Sequence, residues 1–326
     1  MRFLLTSQQL DFARSLDAML GAAGTSAAIR AWASGDAGPG RDVWSRLADA
    51  GVFALGVPEA YEGLGCLAVE LALSCVELGR HAVPGPVVET VAAAALLARL
   101  AELGEDGPAK RLLPGIASGG CVASVLWPGA GPYALDADAA DAVLVVADQE
   151  LRLAPGHGPV QPSADPARRL ARPLPGGELL YAGPELDDAM AHATGWARLA
   201  AAGQSLGVAE ALLSRTVAYV KQRTQFGAPI GSFQAVKHRL ADTLVSIEFA
   251  RPLLYAAALS LAPGEVAAAK VTAGEAAYGA ARTALQLHGA VGYTQELDLS
   301  LWLRKARPLR DAWGSPGECR ARVLAG

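Results

Sequence analysis

Positive charge is what this sequence has too little of to meet nucleic acid. Its 28 Lys and Arg stand against 32 Asp and Glu, a net charge of -4. No run of five like charges occurs, so the basic stripe of a nucleic-acid surface is missing. Long apolar runs are also missing. The most apolar stretch, Val91 to Leu100, is too short and too rich in Ala to span a bilayer. The N-terminal string MRFLLTSQQLDFARSLDAML has no extended apolar core and no small-residue cleavage site, which argues against a signal peptide. Four cysteines, Cys66, Cys75, Cys121 and Cys319, include no C-x-x-C pair and have no His at zinc-ligand spacing. They read as buried free thiols in a reducing cytosol. These absences predict a soluble cytoplasmic protein with no nucleic-acid, membrane or metal partner.

What is abundant is apolar residue, 52% of 326 positions, ample for a substantial core. Three zones differ in pattern, and they predict a mostly α protein with a small β domain. Residues 1–120 read as an N-terminal helical domain: Leu10, Phe12, Leu16 and Leu20 recur at helical spacing, and Ala68 to Leu78 and Val87 to Leu100 resume it. Residues 121–185 read as a reduced middle β domain, with AVLVVA (Ala142 to Ala147), ELRLAP and ELLYAGP separated by Pro, Gly and Asp turns. Residues 186–326 read as a C-terminal four-helix bundle, with periodic segments at Trp196 to Tyr219, Phe233 to Leu261 and Val266 to His288.

Three strings carry more than periodicity. WSRLADAGVFALGVPEAYEGLG (Trp44 to Gly65) is a packing and turn motif. RTQFGAPIGSFQAVKHRLAD (Arg223 to Asp242) joins two long helices through a turn. Its Arg223 either binds a phosphate as a bidentate fork or caps a helix C-terminus by charge. QLHGAVGYTQELDLSLWLRKA (Gln286 to Ala306) places two Gly beside a Gln, while His288 reads as packing or a polar contact.

Together these strings resemble the acyl-CoA dehydrogenase family, which carries VPE-x-Y-GGLG, RxxFG followed by Pro and FQ, and QxxGGxGY-x-x-E. The resemblance covers both helical zones and is weak in the β zone. It implies an α,β-dehydrogenation of an acyl-CoA thioester with FAD as the electron acceptor. It also implies that Arg223, Gln225, Phe226, Gln286 and Gly289 contact the flavin nucleotide. Ala290 stands where a second Gly is usual, and its methyl group would crowd a nucleotide there.

The same resemblance exposes losses. The family's base is a Glu, either in a Y-E-G-T stretch near the C-terminus or on the first bundle helix before an Arg. Those positions hold Trp313 and Ala197 here. Asp311 and Glu318 are the nearby carboxylates, and either would need a shifted turn to replace it. The TEP-x-AGSD string that opens the β zone is matched by LWPGAGPY, with Leu126, Trp127 and Pro132 where Thr, Glu and Ser are usual. Leu and Pro offer no side-chain hydroxyl. In the family's dimers the RxxFG and QxxGG segments reach the neighbour's flavin, so the division of losses implies a non-catalytic subunit of a heteromeric complex. The FAD would be shared across the interface with a homologous, catalytic subunit. Two readings stand beside it: a self-sufficient homomeric enzyme with a relocated base, and a flavin-free scaffold or acyl-binding protein.

Overall fold

A computed structural model describes residues 4–127, 129 and 131–325. Pro128 and Ala130 of LWPGAGPY fall outside them. Six helices come first: α1 (Ser7–Ala22), α2 (Thr25–Ser34), α3 (Gly38–Asp49), α4 (Ala68–Arg80), α5 (Val87–Glu102) and α6 (Gly107–Ala117). Six strands follow: β1 (Ala123–Leu126), β2 (Ala134–Leu135), β3 (Ala142–Ala147), β4 (Glu150–Leu153), β5 (Leu170–Ala171) and β6 (Glu178–Ala182). Then come α7 (Glu185–Gln222), β7 (Thr224–Gln225), β8 (Ala228–Pro229), α8 (Gln234–Ser260), α9 (Pro263–His288), α10 (Leu299–Asp311) and α11 (Pro316–Leu324). The mostly helical order with a small β region is the one the periodicity predicts. Contacts divide the chain into two compact units, residues 18–71 with 83–200, and residues 1–17 with 72–82 and 201–326.

In the unit holding the strands, α5 is the central element. Its sequence VVETVAAAALLARLAE is apolar all round, and it is buried on nearly every face. The Thr90 hydroxyl, itself buried, donates to Ala123 O at 2.7 Å and ties α5 to β1. The sheet runs β1-β3-β4-β6, with β1 parallel to β3 and the other pairs antiparallel. β3 is central because AVLVVA is apolar on both faces, the pattern of a strand covered from both sides. A buried carboxylate organises the loops beside it. Asp136 Oδ1 accepts from Trp32 Nε1 and from Arg169 N, each at 3.1 Å.

In the other unit, α8, α9, α10 and α11 form the bundle around α9. Glycines set the crossing of α4 and α7. A methyl on Gly207 would lie 1.8 Å from Val76 O, and one on Gly79 would lie 2.1 Å from Gln204 O, so only Gly lets the two backbones touch. Lys270 is fully buried and donates to Leu309 O (3.1 Å) and Arg310 O (2.9 Å). It satisfies carbonyls that the last turn of α10 leaves open.

α7 starts eleven residues before Trp196, where the apolar period becomes legible. Its buried positions there are Leu186, Ala189 and Ala193, and Ala carries too little hydrophobicity for the period to show.

Candidate functional site

The RxxFG string builds a hairpin. β7 and β8 pair with Gln225 opposite Ala228, leaving Phe226 and Gly227 as a two-residue loop. Their φ angles are 53° and 77°, the double positive φ of a type I′ turn. Gly adopts this freely, whereas Phe226 carries a left-handed conformation that costs an L-residue about 1–2 kcal/mol. Phe226 is also 94% exposed, touching Phe233 edge-on at 6.4 Å between centroids. Arg223 and Gln225 are exposed on the same hairpin. Gln225 Nε2 donates to Thr224 O (2.8 Å). The Arg223 guanidinium makes no ion pair or hydrogen bond among the described residues.

The second segment follows α9. Gln286 is exposed on its last turn, and Gly289 ends it at φ 63° with open space where a side chain would be. Ala290 is exposed. His288 Nδ1 donates to Ala284 O at 2.8 Å, which fixes the proton on that nitrogen, and burial pushes the imidazole below its ordinary range. Its ring stacks on Tyr219 at 4.1 Å, and the Tyr219 hydroxyl donates to His288 O at 3.4 Å. This stack brings the two motifs together: Tyr219 lies one turn before Arg223, and His288 directly precedes Gly289. Sequence reasoning missed Tyr219, although its i, i+4 spacing to Arg223 was the available signal. His288 is the packing residue that was expected.

The two positions that the resemblance assigns to the base are both buried. Trp313 occupies the turn between α10 and α11 at φ 58° and is 3% exposed. Ala197 is wholly buried on α7. Neither neighbouring carboxylate is at liberty. Asp311 lies between Arg307 Nε (3.3 Å) and Arg310 Nη1 (3.6 Å). Glu318 Oε2 accepts from Ser315 N (2.7 Å) and Ser315 Oγ (2.8 Å), while Glu318 N donates to Ser315 Oγ (3.3 Å). That is the capping box of α11. In the β zone Leu126 ends β1, and the hydroxyl of neighbouring Ser124 donates inward to Leu135 O at 2.6 Å. No helix among the described residues is long and apolar enough to cross a membrane.

A helical N-terminal segment, a small sheet and a helical bundle carrying these two motifs define a class, and comparison with known proteins gives the same one. Residues 6–120 match the family model for the acyl-CoA dehydrogenase N-terminal domain, and residues 187–322 match that for the C-terminal domain. The chain is 36% identical over 302 residues to acyl-CoA dehydrogenase IpdE2 of Mycobacterium tuberculosis, covering 91% of this chain and 90% of that protein. It is 32% identical to acyl-CoA dehydrogenase FadE34 of the same organism, covering 94% of this chain but 45% of FadE34. A chain of the ChsE4-ChsE5 complex from Mycobacterium tuberculosis superposes with a TM-score of 0.80 at 25% identity, over 100% of this chain and 98% of that one. The chain belongs to the acyl-CoA dehydrogenase family, flavin-dependent oxidoreductases acting on a CH–CH bond.

Proposed function

We propose that this chain is the non-catalytic half of a heteromeric acyl-CoA dehydrogenase, lending one edge of a FAD site to a homologous catalytic subunit. One observation carries the reading. The residues suited to grip a dinucleotide are exposed, with the Arg223 guanidinium unpaired among the described residues, while the positions for a base are buried and apolar. The unpaired Arg223 fork offers parallel N–H donors to a pyrophosphate. Gln225 and Gln286 offer amides, Phe226 a ring face, and Gly289 a backbone that a ligand can approach without meeting a side chain. These residues fit the outer part of a FAD. Leu126 and Pro132 offer no hydroxyl to its other end. When bound, FAD accepts the hydride of the α,β-dehydrogenation. This chain binds and orients; the proton is removed by a carboxylate of the partner.

The relatives support a two-part enzyme. FadE34 has as much chain again beside the part matched here, and ChsE4-ChsE5 is solved as a complex of two named chains. The ion pairs on Asp311 and the capping role of Glu318 count against a relocated base. With this reading go a cytoplasmic location, an acyl-CoA substrate, a role in lipid metabolism and the three-part division at residues 1–120, 121–185 and 186–326.

Co-expression with a homologous dehydrogenase that retains the TEP and Glu motifs is expected to give a yellow complex that oxidises an acyl-CoA. Arg223→Ala in this chain should bleach it. Unchanged flavin content in that variant would sink the proposal. So would bound flavin and acyl-CoA turnover by the chain purified alone.

A further inference from the structure

A second cluster, unrelated to the flavin motifs, lies where α1 meets α4 in the bundle-containing unit. Glu77 and His81 are four residues apart, and His81 N donates to Glu77 O at 3.0 Å, so helical spacing holds and both side chains share one face. Asp17 of α1 faces them. Its Oδ1 is 2.7 Å from His81 Nε2, and one ligating atom from each of the three residues lies within 4.8 Å of the others.

Two features separate this cluster from an ordinary surface ion pair. The first is an unsatisfied buried carboxylate. Glu77 is 6% exposed, yet its Oε2 accepts no hydrogen bond among the described residues. Arg80 Nε stands 3.3 Å away without hydrogen-bond geometry and is itself an unsatisfied donor. Glu77 therefore faces one guanidinium across an ion pair but keeps a buried oxygen that accepts no hydrogen bond among the described residues, a lone pair open to a further cation. The second is the charge balance. Arg80 is shared by Glu77 and Glu210, and Arg251 is shared by Glu210 and Glu248. With Asp17, four carboxylates surround two guanidiniums, an excess of acidic groups that a bound cation would offset.

We propose that Asp17, Glu77 and His81 bind a divalent first-row cation of the Zn²⁺ class. One imidazole nitrogen and two carboxylate oxygens suit such an ion better than Mg²⁺, which prefers oxygen alone. Zn–N and Zn–O bonds of about 2.0–2.2 Å place tetrahedral ligands roughly 3.4 Å apart. Binding in this way requires Asp17 and His81 to part from their 2.7 Å contact and Glu77 to draw in from within 4.8 Å. Asp17 is half exposed, so the ion can enter and keep water in its remaining position. Arg80, anchored on Glu210 at 2.5 Å, would steady the outer oxygen of Glu77, as second-layer partners of metal carboxylates do.

The test is calorimetric titration of chelator-treated, full-length chain with Zn²⁺, and with Mg²⁺ as the control, in the absence of flavin and partner. One Zn²⁺ per chain with a dissociation constant of about 1 μM or below is expected, with no Mg²⁺ heat. Asp17→Asn, at the exposed end of the cluster, leaves the core undisturbed and should weaken binding at least about tenfold, as should His81→Ala and Glu77→Gln. Circular dichroism melts confirm that each variant folds. No Zn²⁺ heat up to roughly millimolar concentration, or Zn²⁺ binding retained in Asp17→Asn and His81→Ala, overturns the site.

Discussion

Two aromatic residues of the bundle-containing unit hold the same disfavoured backbone conformation. Phe226 has φ 53° and Trp313 has φ 58°, but Phe226 is 94% exposed and Trp313 only 3%. The backbone penalty is similar, about 1–2 kcal/mol each. For Trp313 it is offset inside the chain, since burying a large aromatic contributes about 2–3 kcal/mol. Phe226 has an edge contact with Phe233 to set against it but no comparable burial. A strained, solvent-exposed aromatic beside an arginine with no ion pair among the described residues is the feature on which the proposed FAD edge rests. A strained, buried one is core. The difference teaches that one backbone conformation can serve packing at one turn and, at the other, leave an exposed ring for the FAD edge proposed above.

The comparison can be broken most forcefully at Trp313. If it is core, Trp313→Ala should lower the unfolding free energy by about 3–5 kcal/mol, read as a drop in urea midpoint at unchanged slope. A loss of less than about 1 kcal/mol would mean that the ring fills a pocket rather than the core. The next effect in size is at Arg223. Removing its charge-assisted bonds should weaken FAD retention in the partnered complex by about 1.5–3 kcal/mol, some 10–100-fold. The stability of the chain alone should move by less than about 0.5 kcal/mol, since the side chain is exposed and unpaired.

Phe226 sharpens the contrast because its two effects should have opposite sign. Asn tolerates positive φ, so Phe226→Asn should stabilise the chain alone by about 1 kcal/mol while reducing flavin in the complex. A variant that loses stability would show that the ring is already part of a core. The smallest effect concerns His288, which stacks on Tyr219 next to the proposed FAD edge. Burial lowers its pKa below 6.5, the ordinary value, so on acidification the unfolded chain takes up this proton first. The contribution of a neutral His288 is therefore complete above pH 6.5 and is lost as pH falls through the lowered folded value. An NMR titration of the ring should show a midpoint below 6.5. A midpoint above it would place the imidazole in solvent or beside a carboxylate.

Much of the fold was legible. The helical periods at Ala68 to Leu78 and Val87 to Leu100 are α4 and α5, and AVLVVA is β3. Periods failed where alanine carried them: the first eleven residues of α7 are buried through Leu186, Ala189 and Ala193. The two-residue strands β2 and β5 were illegible because two residues hold no alternation. On the candidate site, Arg223 to Gly227 and Gln286 to Gly289 were found as strings, while Tyr219, which joins them, belongs to neither string. The engagement of Asp311 and Glu318 was equally hidden. A carboxylate's availability depends on which donors the turn presents to it, and a motif names only the residue.

The sequence by itself determined the family and the order of helices and strands, and it supplied the resemblance that puts Trp313 and Ala197 where a Glu is expected. Those are one-dimensional facts, carried by residue type and spacing. Tertiary structure alone decided that Trp313 is core and Phe226 is not, that Gly79 and Gly207 let α4 touch α7, and that Asp17 meets a pair of residues sixty positions away. Burial and charge are properties of what surrounds a residue, and that is set only when distant parts of the chain pack.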